Sequence, residues 1–243
     1  MKVKILGSNS DGNCYILQAD DATLILELGV AFKEIKIALD FDLTKVVGAL
    51  VTHEHGDHSK EVMACLAAGI NVYASQGTLK ALKAEVPRAK VIKAHDRIKI
   101  GPFQIYAFDV NHDAAEPLGF IINHPESGNI LFITDTAYTQ YTFNDIHNVL
   151  IEANYCEQIL STREGTLHPK LISRVRRSHM SIQTCSELLA ANNFKDVNNI
   201  VLIHLSDGNS DEAGFKKRIE AQTGKKVTIA KKGVELEMNK TAF

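Results

Sequence analysis

The densest chemistry in the chain lies in the hexapeptide His53-Glu54-His55-Gly56-Asp57-His58. Five of its six side chains can bind a metal or move a proton, and the glycine lets the backbone bend between them. His53 and His55 alternate so that both imidazoles can face one cation. Asp57 and His58 follow at a spacing that directs them to a second cation beside it. Paired cations, about 3.5–4 Å apart in two-metal hydrolases, clamp the attacking and leaving oxygens of a displacement. One histidine here would read as a packing residue. Three histidines and an aspartate within six residues are hard to explain that way.

The flanking sequence predicts how this stretch is held. Val46 to Thr52 is an apolar run that reads as a buried strand. A helical pattern over 59–68 follows, with Ser59 placed to cap it. The hexapeptide therefore sits on a strand-to-helix loop, where a rigid scaffold can present a site. Further acids and imidazoles recur at element ends. Glu27 closes Thr23 to Leu26, His112 follows a strand ending at Val110, and Asp135 follows Ile130 to Thr134. Glu152 closes Asn148 to Ile151, His179 precedes a helix over Ile182 to Ala191, and His204 follows Ile200 to Ile203. Taken singly, each is also a common turn residue. Two four-coordinate metals need about eight protein contacts, of which the hexapeptide supplies only four, so the remaining ligands must come from such positions.

The rest of the chain provides the scaffold. It has 243 residues, 45% hydrophobic and 23% charged, enough for one domain spanning 1–243 with a substantial core. The formal net charge of −2 announces no nucleic-acid partner, so any basic surface must be local. Four dispersed cysteines, at 14, 65, 156 and 185, form no C-x-x-C pair and read as thiols in a reducing compartment. With no signal-peptide core and no apolar run of the ~20 residues needed to span a membrane, the expectation is a cytoplasmic protein. Strands are expected over 2–6, 14–19 and 23–27, with helices near 31–39 and 76–84. Hairpins follow over 97–110 and 118–134, then a helix over 211–222 and two C-terminal strands. Strands interleaved with helices and closed by hairpins suit an α/β protein with two face-to-face sheets and helices outside.

The hexapeptide resembles the H-x-H-x-D-H signature of the metallo-β-lactamase fold, with every position filled. That resemblance implies an αβ/βα four-layer sandwich holding two divalent metal ions, zinc or manganese. His53, His55 and His112 would hold the first ion and Asp57, His58 and His204 the second, with Asp135 bridging. Glu27 stands where the family usually has an aspartate that braces the histidine loop. Glu152, His179 and His204 resemble the extra motifs of the ribonuclease J and β-CASP nucleases, in which the acid orients a phosphate-contacting histidine. Gly7 to Cys14, His112-Asp113-Ala114-Ala115-Glu116-Pro117 and His204-Leu205-Ser206 are similar to segments of the small YycJ-like exonucleases. The long β-CASP insertion is absent, and Ser178-His179-Met180 replaces a glycine-histidine-leucine.

The implied function is a binuclear phosphodiesterase acting on nucleic acid, a DNA exonuclease of 5′→3′ polarity, with Asp57, Glu152 and His179 as catalytic residues. Arg174, Arg176 and Arg177 precede His179 in a segment without strong periodicity and suit a phosphate grip, as Ser181 and Ser206 suit substrate contact; the alternative for the arginines is a solvated helix face. Two other readings stand beside this one. A hydrolase of small esters, thioesters or lactams needs the ligands but gives Glu152 and His179 no task. A metal-stabilised nucleic-acid-binding protein would follow if Glu27 had spoiled the site.

Overall fold

The computed structural model describes residues 1–241. In chain order, β1 (Lys2–Asn9), β2 (Gly12–Gln18) and β3 (Thr23–Leu26) lead through α1 (Phe32–Ala38) to β4 (Val46–Leu50). The loop after β4 carries the hexapeptide into α2 (Gly56–Ser59) and α3 (Val62–Ala67), followed by β5 (Val72–Ala74), α4 (Gln76–Ala81) and β6 (Ala89–Val91). Four strands come next: β7 (Arg97–Ile100), β8 (Phe103–Asp109), β9 (Leu118–His124) and β10 (Gly128–Ile133). The last part comprises β11 (Asn148–Glu152), α5 (Glu157–Thr162), α6 (Pro169–Ser178), α7 (Ile182–Ala191), β12 (Asn199–Ile203), α8 (Glu212–Thr223), β13 (Lys226–Ile229) and β14 (Glu235–Glu237).

These strands form two seven-stranded sheets, ordered β14-β1-β2-β3-β4-β5-β6 and β13-β12-β11-β10-β9-β8-β7. Alternation along single strands shows how the layers stack. In β10, Ile130 and Phe132 join the core between the sheets with Leu26, Leu50, Phe120 and Ile203. Their neighbours Leu131 and Ile133 face outward to Cys185, Leu189, Phe215 and Ile219 of α7 and α8. On the other sheet Ile16, Ile25 and Ala49 face outward to Ile35, Cys65 and Leu79 of α1, α3 and α4. Strands buried on both faces read as continuous apolar runs, which is why β10, β11 and β12 were visible as such in the sequence. The arrangement is the expected α/β four-layer sandwich.

Sheet direction determines where the chemistry collects. β3, β4, β5 and β6 pair in parallel, as do β10, β11, β12 and β13. β8 and β10 each pair antiparallel with β9 and so point the same way. The C-terminal ends of β3, β4, β8, β10, β11 and β12 thus deliver Glu27, His53, His112, Asp135, Glu152 and His204. Carboxyl ends of strands are the usual ligand edge of α/β sheets.

Local details depart from the sequence reading. Ser59 does not cap a helix over 59–68. It ends the short turn α2, and its Oγ donates to the carbonyls of Glu54 and His55 at 2.7 and 3.0 Å. α3 then starts separately at Val62, without a side-chain cap. The segment from Asn154 to Ser178, weakly periodic as sequence, contains the two helices α5 and α6.

Candidate metal centre

Three imidazole nitrogens converge at the mouth of the sandwich. His53 Nε2 lies 2.9 Å from His55 Nδ1, which lies 3.1 Å from His112 Nε2. His112 Nδ1 is 2.7 Å from the Ser178 carbonyl and must donate to it, which leaves its Nε2 as a lone pair. Lone pairs aimed at one point repel unless a cation lies between them. Asp135 completes this group, with Oδ2 3.5 Å from His112 Nε2 and 3.7 Å from His53 Nε2. The four residues form one cluster that could hold a metal ion. The donor set of imidazole and carboxylate, with no thiolate, suits a divalent cation such as zinc or manganese.

A second cluster shares Asp135. His58 Nε2 lies 3.4 Å from Asp135 Oδ2 and 3.2 Å from Asp57 Oδ2, and His204 Nε2 lies 3.2 Å from the same Asp57 oxygen. Asp57, His58, Asp135 and His204 form this group. Behind it sits Glu27, buried, with Oε2 3.4 Å from His58 Nδ1 and its carboxylate accepting from Thr52 N. The longer glutamate therefore reaches the histidine loop. Glu27, Asp135 and His204 all adopt left-handed backbone, at φ 63°, 46° and 53°. Strained non-glycine conformations of this kind gather at functional sites.

Burial and charge divide the imidazoles into two kinds. Burial pushes His53 well below its ordinary pKa and lowers His112. Burial also works against a charged His58, but Asp135 and Glu27 outweigh it and raise that ring well above its ordinary value. For His204 the same contest ends at about 10, through Asp135 and the hydrogen bond to Asp57. Burial opposes ionisation of Asp135, yet His204 and His58 hold its carboxyl well below the usual range. Without metal, His53 and His112 are neutral rings, whereas His58, His204 and Asp135 are charged.

Beside the clusters, Glu152 is buried and fully engaged. Its Oε2 accepts from the backbone N–H of Thr136 and of Met180, each at 3.0 Å, and its Oε1 lies 2.7 Å from His179 Nδ1. His179 is stacked on His204 with rings 5.4 Å apart, and it lines a pocket of about 350 Å³ with His55, Asp57, Asp135 and His204.

A family model described as Beta-lactamase superfamily domain matches residues 33–205. The chain belongs to that family. It is similar to Exodeoxyribonuclease YycJ of Bacillus anthracis, 26% identical over 226 residues, 86% of this chain and 84% of that protein. It is similar also to Exodeoxyribonuclease WalJ of Streptococcus pneumoniae, 28% identical over 229 residues, 86% and 83% of the two chains. Among solved structures, the metallo-beta-lactamase fold protein YhfI from Bacillus subtilis superposes with a TM-score of 0.72 at 16% identity, covering 97% of this chain and 99% of that one. Zinc-bound PqqB from Methylobacterium extorquens gives 0.75 at 16% identity, covering 98% and 100%. These likenesses establish the metallo-β-lactamase fold. A member of this superfamily with these His and Asp clusters is a metal-dependent hydrolase. No described helix is long and apolar enough to cross a membrane.

The fold brings His53, His55, Asp57, His58, His112, Asp135, Glu152, His179 and His204 to one place, with Glu27 directly behind. Ser206 and Arg174 reach the pocket. Ser181 instead caps α7, its Oγ accepting from Thr184 N at 3.0 Å. Arg176 is bound by Glu157 and Glu164, which the sequence separated from it by more than two helical turns. Arg174 pairs with Asp113 at 2.8 Å, and Arg177 is exposed. Two asparagines in the site were not singled out from the sequence, although Asn13 lies within the Gly7 to Cys14 segment. Asn13 Nδ2 lies 3.3 Å from Asp57 Oδ2 and 3.2 Å from His58 Nε2, and Asn154 Nδ2 donates to the His204 carbonyl at 2.9 Å.

Proposed function

We propose that this protein is a binuclear metal-dependent phosphodiesterase that cleaves nucleic acid, acting as a DNA exonuclease with 5′→3′ polarity. His53, His55, His112 and Asp135 hold one ion, and Asp57, His58, Asp135 and His204 the other. Two divalent ions bound there would supply Lewis-acid stabilisation to the phosphate and activate the attacking water. The remaining chemistry belongs to the chain itself. His179 donates its Nδ1–H in a hydrogen bond to Glu152, which leaves Nε2 free for the pocket that the ring lines. Burial disfavours a charged His179, but the adjacent Glu152 outweighs it and raises the pKa. A protonated Nε2 donates to a phosphate oxygen, or passes its proton to the leaving sugar oxygen as the P–O bond breaks.

The Glu152–His179 pair beside the clusters carries this reading. A hydrolase of small esters or lactams would leave it without a task, whereas a phosphodiester needs both charge neutralisation and a proton at the leaving oxygen. The named exodeoxyribonuclease relatives support DNA as substrate. A third relative, Ribonuclease J of Sinorhizobium meliloti, is 38% identical over 84 residues, 14% of its length, and keeps RNA in the test. Single- and double-stranded DNA and RNA, labelled at either end, should be incubated with Mn²⁺, Zn²⁺ or EDTA. Metal-dependent stepwise release from 5′ ends of DNA is expected. Intact strands under every metal condition would overturn the assignment.

A further inference from the structure

The pocket that His179 lines has two unlike walls. One is the polar wall of candidate ligands; the other is aliphatic, made by Leu160, Leu167, Leu171 and Val175 of the α5–α6 segment. Leu171 is 46% exposed, on a helix whose neighbouring positions are Lys170 and Arg174. An apolar side chain at the lip of a catalytic pocket is available for a ligand.

The wall is built into the site rather than loosely apposed to it. It continues inward through Leu160 into a small buried cluster with Tyr155 and Ile172, against which Leu167 and Val175 pack. Arg176 ties α6 to Glu157 and Glu164 in and after α5, and Arg174 ties it to Asp113. At the end of α6 the Ser178 carbonyl receives His112 Nδ1, and the next residue is His179. α6 thus carries Leu171 and Val175 of the wall and leads directly into a phosphate-facing histidine.

We propose that this wall seats the base and sugar of the nucleotide adjoining the scissile phosphate, and that the pocket admits one unpaired nucleotide at a time. The proposal rests on the nuclease reading and adds its substrate subsite. At about 350 Å³ the cavity lies at the low end of sites for small ligands, which run from about 300 to 1,000 Å³. That size suits one nucleoside rather than a base pair, so a duplex is expected to open its end before it is cut. The aliphatic wall offers a base its apolar face and no donors for its edge, so it holds any base alike. Ser206 lines the same pocket; its Oγ accepts from Asn209 Nδ2 at 3.0 Å, which leaves its hydroxyl proton for the sugar.

The test reads binding apart from turnover. Thymidine 5′-monophosphate and 2-deoxyribose 5-phosphate are titrated calorimetrically into the metal-loaded protein and into its Leu171→Ser and Leu167→Ser variants. The nucleotide should bind roughly tenfold tighter than the sugar phosphate, as about 1.4 kcal/mol from covering one base face would give. Both variants should lose most of that advantage. Equal affinities in the native protein, or an advantage that persists in both variants, would overturn the subsite. In a parallel assay, DNA with several unpaired terminal nucleotides should be degraded at least tenfold faster than the same blunt duplex. Equal rates would overturn the requirement for an unpaired end. Nucleotide binding without cleavage of any strand would uphold the subsite while rejecting the nuclease reading.

Discussion

The Nδ1 of His179 stands 2.7 Å from Oε1 of Glu152, across a junction between the end of β11 and the turn after α6. His179 is not in either proposed ligand set, so His179→Ala should leave metal content intact while lowering phosphodiester turnover about 10²–10⁴-fold, the scale of a lost acid–base group. Metal analysis and turnover on a labelled oligonucleotide check both halves. Unchanged turnover would return the Glu152–His179 pair to scaffold.

Asp135 faces both clusters, with Oδ2 3.4 Å from His58 Nε2 and 3.5 Å from His112 Nε2. Asp135→Ala should therefore strip or scramble both sites together. Two tightly held ions in the purified variant, counted by elemental analysis, would sink the shared-ligand assignment.

Metal uptake should release protons unevenly. In the metal-free protein His58 and His204 have raised pKa values and carry protons at neutral pH, whereas His53 and His112 have lowered values and are neutral. Only neutral imidazole ligates, so filling the second cluster should expel about two protons, while His53 and His112 of the first should release none. As pH falls, protons compete at the second cluster first, and its affinity drops while the first still holds. Titration calorimetry in buffers of different ionisation enthalpy measures the count. Equal release at both steps would contradict the division.

The basic helix should respond residue by residue. Arg174 and Arg177 are exposed, and removal of each should flatten the slope of log affinity against log salt by about 0.7 if it contacts a single-strand phosphate. Arg176 is held by Glu157 and Glu164 and should leave the slope unchanged when replaced by alanine. A flattened slope for Arg176→Ala alone would reverse this ranking.

Gly29 packs against the turn that carries Asp57 and His58. A Cβ there would run into the Asp57 carbonyl, and the backbone of Asn13 is close on the other side. Gly29→Ala should cost about 3 kcal/mol, the upper end for over-packing, and should weaken uptake of the second ion. Denaturant titration of the metal-free variant isolates the stability loss. A native midpoint would show that the turn can move without penalty.

Much of the site was legible because its residues are chemically conspicuous and sit where apolar runs stop. Glu152 and His204 could be found as the first charged or imidazole group after Val149-Leu150-Ile151 and Val201-Leu202-Ile203. The sheets were legible for the same reason, since strands covered on both faces leave continuous apolar runs. Less came through where the determinant was tertiary. Asn13 and Asn154 are ordinary turn residues until the fold brings Asp57 and His204 to them. α6 offers only Ile172 and Val175 to a small cluster, too few apolar positions to stand out as a helix. The partners of Arg176 lie on α5 and the loop after it, so its pairing depended on how those segments pack.

The candidate ligands come from both sheets: His53, His55, Asp57 and His58 follow β4 in one, while His112, Asp135 and His204 follow β8, β10 and β12 in the other. Neither sheet alone presents a complete set, so all the ligands face one another only where the two layers have closed. The full centre is then a property of the packed sandwich, and a substitution that loosens the contact between the layers should weaken ion binding even where no ligand is touched.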